Sequence, residues 1–239
     1  MIAARAPEAA MIDLTHGAPP HDIAAAALQI EAAWRYLPDG TVLLAVIDPG
    51  VGSRRRAVAA RCGTRYFVGP DNGLISGIAA PVEDAVEIAP ELGVAVSATF
   101  HGRDIFAPAA ARLALGEALG GLGKPIAPSS LQRIAWPEAV FEADEIAASA
   151  LLIDRFGNTI TNVTAEGFER WRAGRTSFSV QIRGVRTRAS AAGCYADIAA
   201  GGLGLVASSY GRIEVAANRA SAAETLGIER GEALRLIAD

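Results

Sequence analysis

The first clear pattern along the chain is helical. From Ile23 the apolar positions Ala26, Ala27, Ile30, Ala33 and Trp34 recur at helical spacing, with Asp22 placed to cap the helix and Leu37-Pro38-Asp39-Gly40 placed to end it. Residues 41–47 then form an unbroken apolar run, as expected of a buried strand in a parallel sheet. The run stops at the loop Asp48-Pro49-Gly50-Val51-Gly52. Two short strands are expected at residues 58–60 and 66–68, and a helix over residues 104–119 that turns Ile105, Ala109, Leu113 and Leu119 to one side. Strands alternating with helices predict an N-terminal α/β sandwich-type domain with a largely parallel sheet, over residues 1–134.

Residues 120–137 are rich in Gly, Pro and Ser and read as a linker. Beyond it the apolar positions become short alternating stretches: residues 150–153, Phe178-Val180-Ile182, Leu203-Leu205 and Ile213-Val215, with Gly-containing turns between them. Such spacing predicts a small antiparallel β-barrel or sandwich over residues 140–239.

Composition narrows the function classes. The 239 residues are 51% hydrophobic and 20% charged, an ordinary globular balance. A formal charge of −4 argues against binding that depends on neutralising nucleic-acid phosphates. Two cysteines, Cys62 and Cys194, form no zinc-type spacing, and no apolar run reaches membrane-spanning length. The first residues lack the apolar core of a secretory signal, so a soluble cytoplasmic protein is expected.

Four segments offer chemistry. Asp48 follows a predicted buried strand, at the sheet edge where α/β folds place ligands, and Arg55 lies seven positions on, within reach to pair with it. The same residues also read as a strand-end turn with a surface salt bridge. His101, in Thr99-Phe100-His101-Gly102-Arg103-Asp104, precedes a predicted helix, where a neutral imidazole suits acid–base work; a capping cluster is the other reading. In Asp154-Arg155-Phe156-Gly157-Asn158, Phe156 offers a stacking face and Asn158 the donor and acceptor that an adenine edge requires; a plain hairpin turn is the alternative. Asp13, His16, His21 and Asp22 match no standard metal spacing, so no metal is expected.

In this order the segments resemble the S-adenosyl-L-methionine (SAM) hydroxide adenosyltransferase family, whose halogenating relatives are fluorinase and chlorinase. The resemblance is carried by Ile12-Asp13-Leu14-Thr15-His16, Asp48-Pro49-Gly50-Val51-Gly52, Phe67-Val68-Gly69-Pro70-Asp71-Asn72-Gly73, residues 99–108, Phe156-Gly157-Asn158 with Thr161-Asn162, and Ser208-Ser209 leading to Glu214 and Asn218-Arg219. It implies that the C-terminal domain is the barrel. It implies hydrolysis of SAM to adenosine and L-methionine without a cofactor, in a homotrimer, with no nucleic-acid or membrane partner. It implies that Asp48, Arg55 and His101 orient and polarise a water toward the ribose C5′. It also implies that Thr99, Phe100, Asp154, Phe156, Asn158, Ser209, Glu214 and Ala217 line the substrate site, with His21 placed to stack on the ligand. Relatives carry a first strand ending in Thr-Asp-Phe-Gly, and the given sequence is expected to lack it. A halide-dependent adenosyltransferase and a non-catalytic SAM- or adenosine-binding protein stay open as alternatives.

Overall fold

In the computed structural model, which describes residues 1–91 and 95–239, the chain divides into two compact units, Met1–Ile134 and Ala135–Asp239. The first unit contains helices α1 (Ile2–Arg5), α2 (Ile23–Trp34) and α3 (Ala107–Ala114). Its strands are β1 (Val42–Leu44), β2 (Ala57–Cys62), β3 (Arg65–Pro70), β4 (Asp84–Ile88) and β5 (Gly123–Ile126). Helix α2 starts where expected, and the Asp22 side chain accepts from the Ala25 amide at 2.9 Å.

The sheet runs β1-β3-β2-β4-β5, and among the described residues only the β1–β3 pair is parallel. The largely parallel sheet read from the sequence is therefore corrected. A parallel pair needs a crossover, but β2 and β3 are separated only by Gly63-Thr64 and fold as a hairpin, with Cys62 opposite Arg65. The run at residues 41–47 also gives less than expected: three residues of strand at the sheet edge, with Val46 38% exposed. The presumed linker at residues 120–137 supplies the opposite edge strand, β5. Pro125 is tolerated there because an edge strand bonds on one side only. The helix expected over residues 104–119 is a π-helical turn, Gly102–Phe106, running into α3.

The second unit holds β6 (Val140–Phe141), β7 (Glu145–Ile153), β8 (Thr159–Thr164), α4 (Ala165–Arg172), β9 (Ser177–Ile182) and β10 (Val185–Ala192). It continues through β11 (Leu203–Ala207), β12 (Arg212–Ala217), α5 (Ala222–Leu226) and β13 (Ala233–Ala238). Its strand order is β13-β9-β10-β11-β12-β8-β7, and β13 also pairs with β7, which closes a seven-stranded barrel. All barrel pairs are antiparallel except β10–β11. Closure leaves no barrel edge unpaired, and alternate residues such as Val180, Leu205, Val215 and Leu236 fill the interior.

Helix α4 is anchored by Thr164, whose hydroxyl accepts from the Gly167 amide at 3.1 Å. It sets Phe168 against Phe178 and Trp171, with ring centroids 5.4 and 5.9 Å away. Phe168 is 1% exposed. Phe168→Ala is expected to cost about 3–5 kcal/mol, the usual range for a large buried aromatic. A urea titration followed by tryptophan fluorescence reads it, and an unchanged midpoint would show that the aromatic cluster does not hold the barrel.

Candidate active site

The Asp48 loop is placed by two strand ends. Asp48 follows the extension of β1, and Arg55 sits two residues before β2. The Arg55 guanidinium reaches back in a fork: Nε donates to Asp48 Oδ1 at 2.9 Å and Nη2 donates to Asp48 Oδ2. The same Nη2 lies 2.8 Å from His101 Nδ1. The Arg55 and Asp48 side chains are 9% and 6% exposed, so this is a largely desolvated ion pair, not a surface bridge. Beneath it lies Phe106, its ring centroid 5.1 Å from the guanidinium carbon. The pairing expected of Arg55 with Asp48 forms, and the pair is buried and not a surface bridge.

A guanidinium nitrogen only donates. His101 Nδ1 must therefore accept, which puts the ring proton of the neutral imidazole on Nε2. Two features hold His101 in reach. Gly52 has φ +78°, and a Cβ there would stand 2.5 Å from the Ala98 carbonyl oxygen, so only glycine allows the Asp48 loop to approach the segment leading to His101 this closely. Asp104, buried, accepts from Arg103 Nε at 2.6 Å and from the Ser97 amide at 2.9 Å. Those bonds hold its carboxyl well below the ordinary range, at about 2, and pin both ends of the segment carrying Thr99, Phe100 and His101. Thr99 and Phe100 are exposed, and the Arg103 guanidinium lies 4.6 Å over the Phe100 ring. His21 is exposed on left-handed backbone with φ 65°. Among the described residues it hydrogen-bonds to none of Asp48, Arg55 and His101.

In the second unit the β7–β8 hairpin builds its own constellation. Asp154 Oδ1 accepts from the amides of Phe156 and Asn158 at 2.8 and 2.9 Å, and Oδ2 accepts from Asn158 Nδ2 at 3.0 Å. Most of its acceptor capacity is thus spent on shaping its own loop. Gly157, with φ +82°, leaves room for Ser221 beside the turn; a Cβ there would meet Ser221 Oγ at 2.1 Å. The result buries Asn158 and leaves Phe156 63% exposed.

Glu214 lies on β12, 2% exposed, and among the described residues its Oε1 has no hydrogen-bond partner. Burial pushes its carboxyl up, opposed by a hydrogen bond from Tyr195 and reinforced by the Asp154 charge. Tyr195 and Tyr210, both raised, feel Asp154 and Glu214 and belong to this cluster. Neither stood out in the sequence, since a lone tyrosine in a turn carries no periodic signal. Ser209 is exposed in the β11–β12 turn and Ala217 is buried at the end of β12.

The sequence pattern of the SAM hydroxide adenosyltransferase N-terminal domain matches residues 1–123, and that of the C-terminal domain matches residues 148–235. The chain belongs to the SAM hydroxide adenosyltransferase family. Among relatives of this SAM hydroxide adenosyltransferase family member, a (R)-S-adenosyl-L-methionine hydrolase of Salinispora tropica is 42% identical, over all of this chain and 90% of the relative. One of Thermus thermophilus is 41% identical over 99% and 91%. A fluorinase of Nocardia brasiliensis is more distant, at 26% identity over 94% and 86%. A crystal structure of a conserved protein from Thermotoga maritima superposes with a TM-score of 0.92 at 30% identity, covering 99% of this chain and 92% of that one.

Glu214 makes a pH prediction. A buried carboxyl with a raised value favours the protonated form in the folded state, so its burden on stability appears as pH climbs through the ordinary carboxylate value and is complete above the raised one. Glu214→Gln removes that burden. Urea midpoints at about pH 4 and about pH 8 should show the variant gaining on the wild type at the higher pH. A difference that is the same at both would contradict the assigned burial effect.

Proposed function

We propose that the protein hydrolyses SAM to adenosine and L-methionine. A water oxygen attacks the ribose C5′, the C5′–S bond breaks, and its electron pair stays on sulfur as the neutral thioether of methionine. The proton released from the water passes to Asp48 and then to solvent. The observation that carries this reading is the Arg55 fork, which holds Asp48 and His101 on one buried guanidinium. Arg55 orients Asp48 through both carboxylate oxygens, and the outer lone pairs of that carboxylate accept from the water. His101, with its proton on Nε2, donates toward the water oxygen and fixes a lone pair along the line of attack. The sulfonium is already an activated leaving group, so the reaction needs no Lewis acid to polarise the carbon.

The aromatic faces of Phe100 and Phe156, both exposed in the single chain, suit contact with a nucleoside. Asn158 keeps its oxygen and one N–H for an adenine edge, and Asp154 keeps a lone pair of Oδ2 for the methionine ammonium. Thr99, Ser209, Glu214, Ala217 and His21 complete the proposed lining. We extend the proposal to a homotrimer, on the strength of the family resemblance. We also place the protein in the cytoplasm. Its two free cysteines, one buried and one exposed, fit a reducing compartment, and no described helix is long and apolar enough to cross a membrane.

The direct test is incubation with SAM and EDTA, followed by chromatography. Adenosine and methionine are expected in equal amounts, at a rate that chloride or fluoride does not raise. Loss of turnover in EDTA, or a 5′-halogenated nucleoside as product, would overturn the proposal. Asp48→Asn is expected to lower kcat about 10²–10⁴-fold, as loss of general-base assistance does. An effect confined to KM would instead make Asp48 a binding residue. Light scattering at the mass of three chains tests the assembly, and a monomer would refute it.

A further inference from the structure

Arg56 is adjacent to Arg55, and its side chain takes a different course. Its Nε and Nη2 both donate to Asp71 Oδ2, at 2.9 and 2.6 Å, and Asp71 is 3% exposed. The other Asp71 oxygen accepts from the Gln132 amide at 2.8 Å, and Arg56 Nη2 also donates to the Ser130 carbonyl at 2.6 Å. Next in sequence, Asn72 donates from Nδ2 to the Ile47 carbonyl at 2.9 Å, while its Oδ1 accepts from the Leu74 amide at 3.2 Å. The Ile47 carbonyl belongs to the peptide plane that carries the Asp48 nitrogen, so holding that oxygen fixes the direction in which the chain enters Asp48.

The two layers share an atom. The Arg56 carbonyl accepts from the Asp71 amide at 3.0 Å and from Arg55 Nη1 at 3.4 Å. Segments 47–48, 55–56 and 71–72 are thereby tied at one end of the sheet, each by a named hydrogen bond.

We propose that Arg56, Asp71 and Asn72 are positioning residues: they fix the backbone from which Asp48 and Arg55 project, and so set the geometry of the fork that reaches His101. The proposal rests on the reaction assigned above for its kinetic consequence and on the fork alone for its structural one. A network that only stabilised the fold would change the unfolding midpoint and leave the fork as it is. A positioning network loosens the fork while the fold stands.

The test uses the full chain and a readout independent of turnover. A guanidinium gripped at several nitrogens rotates slowly about its C–N bonds, so its Nη protons are resolved by NMR; a loosened one averages. The Arg55 signals are assigned by their loss in Arg55→Lys. Asn72→Ala removes the clamp on Ile47. Asn72→Asp keeps the Oδ1 acceptor for Leu74 but turns an oxygen toward the Ile47 carbonyl. In both variants the Arg55 Nη signals are expected to collapse to an averaged line, while Arg54→Ala, an exposed neighbour, keeps the wild-type pattern. With SAM as substrate, kcat is expected to fall about 10–100-fold with KM held within about twofold, the mark of misplaced groups and not of lost binding. Folded Asn72 variants that retain the resolved Arg55 signals would overturn the proposal. A wild-type protein that shows the resolved signals yet never cleaves SAM would overturn the function proposed above, and the NMR comparison would still decide the positioning role.

Discussion

A guanidinium cannot accept a hydrogen bond and does not lose its proton near neutral pH, so a buried arginine dictates the state of whatever surrounds it. Arg55 is such a residue, and the arrangement of Asp48 and His101 in the first unit depends on it. Its charge is removed from water and must be compensated, which Asp48 does with both oxygens. Its Nη2 also faces an imidazole nitrogen, which must then be an acceptor. One side chain thereby orients a carboxylate and sets the tautomer of a histidine 46 positions further along the chain. Neither residue fixes the other directly.

The surrounding structure serves to bring these three groups together. The close approach at Gly52 and the Asp104 anchor, with its bonds to Arg103 and Ser97, hold the histidine segment against the Asp48 loop. The π-helical turn at Gly102–Phe106 starts directly after His101 and delivers Phe106 beneath the guanidinium. In the second unit the same economy appears around Asp154. Its carboxylate spends three hydrogen bonds on its own turn, which leaves Asn158 buried and oriented and Phe156 exposed. Glu214 differs in being buried with one oxygen that finds no hydrogen-bond partner among the described residues, a costly state for a carboxyl.

Local signals in the sequence carried far, and long-range ones did not. The Asp22-capped helix and the hairpin turn at Asp154 were legible because cap, period and glycine lie within a few residues of one another. The Asp48–Arg55 pair was legible as a possibility, since seven residues around Pro and Gly let the chain double back. Its burial was not, because that depends on Phe106 and His101 folding over it. The parallel sheet was misread because an apolar run does not reveal its neighbour's direction; the short β2–β3 hairpin decides that. The stretch at residues 120–137 looked like a linker because Gly and Pro obscure an edge strand that only β4 completes. Tyr195 escaped because its meaning comes from a carboxylate on a strand 19 residues away.

The central claim is that Asp48 and Arg55 act as one unit on the attacking water. A double-mutant cycle on SAM turnover tests it, with Asp48→Asn, Arg55→Ala and the pair together, and with folding checked by circular dichroism. If the fork is the working element, each single change costs most of the rate and the double variant is little worse than either. Losses that multiply fully in the double variant would mean that the two residues act separately, and the account built on the fork would fail.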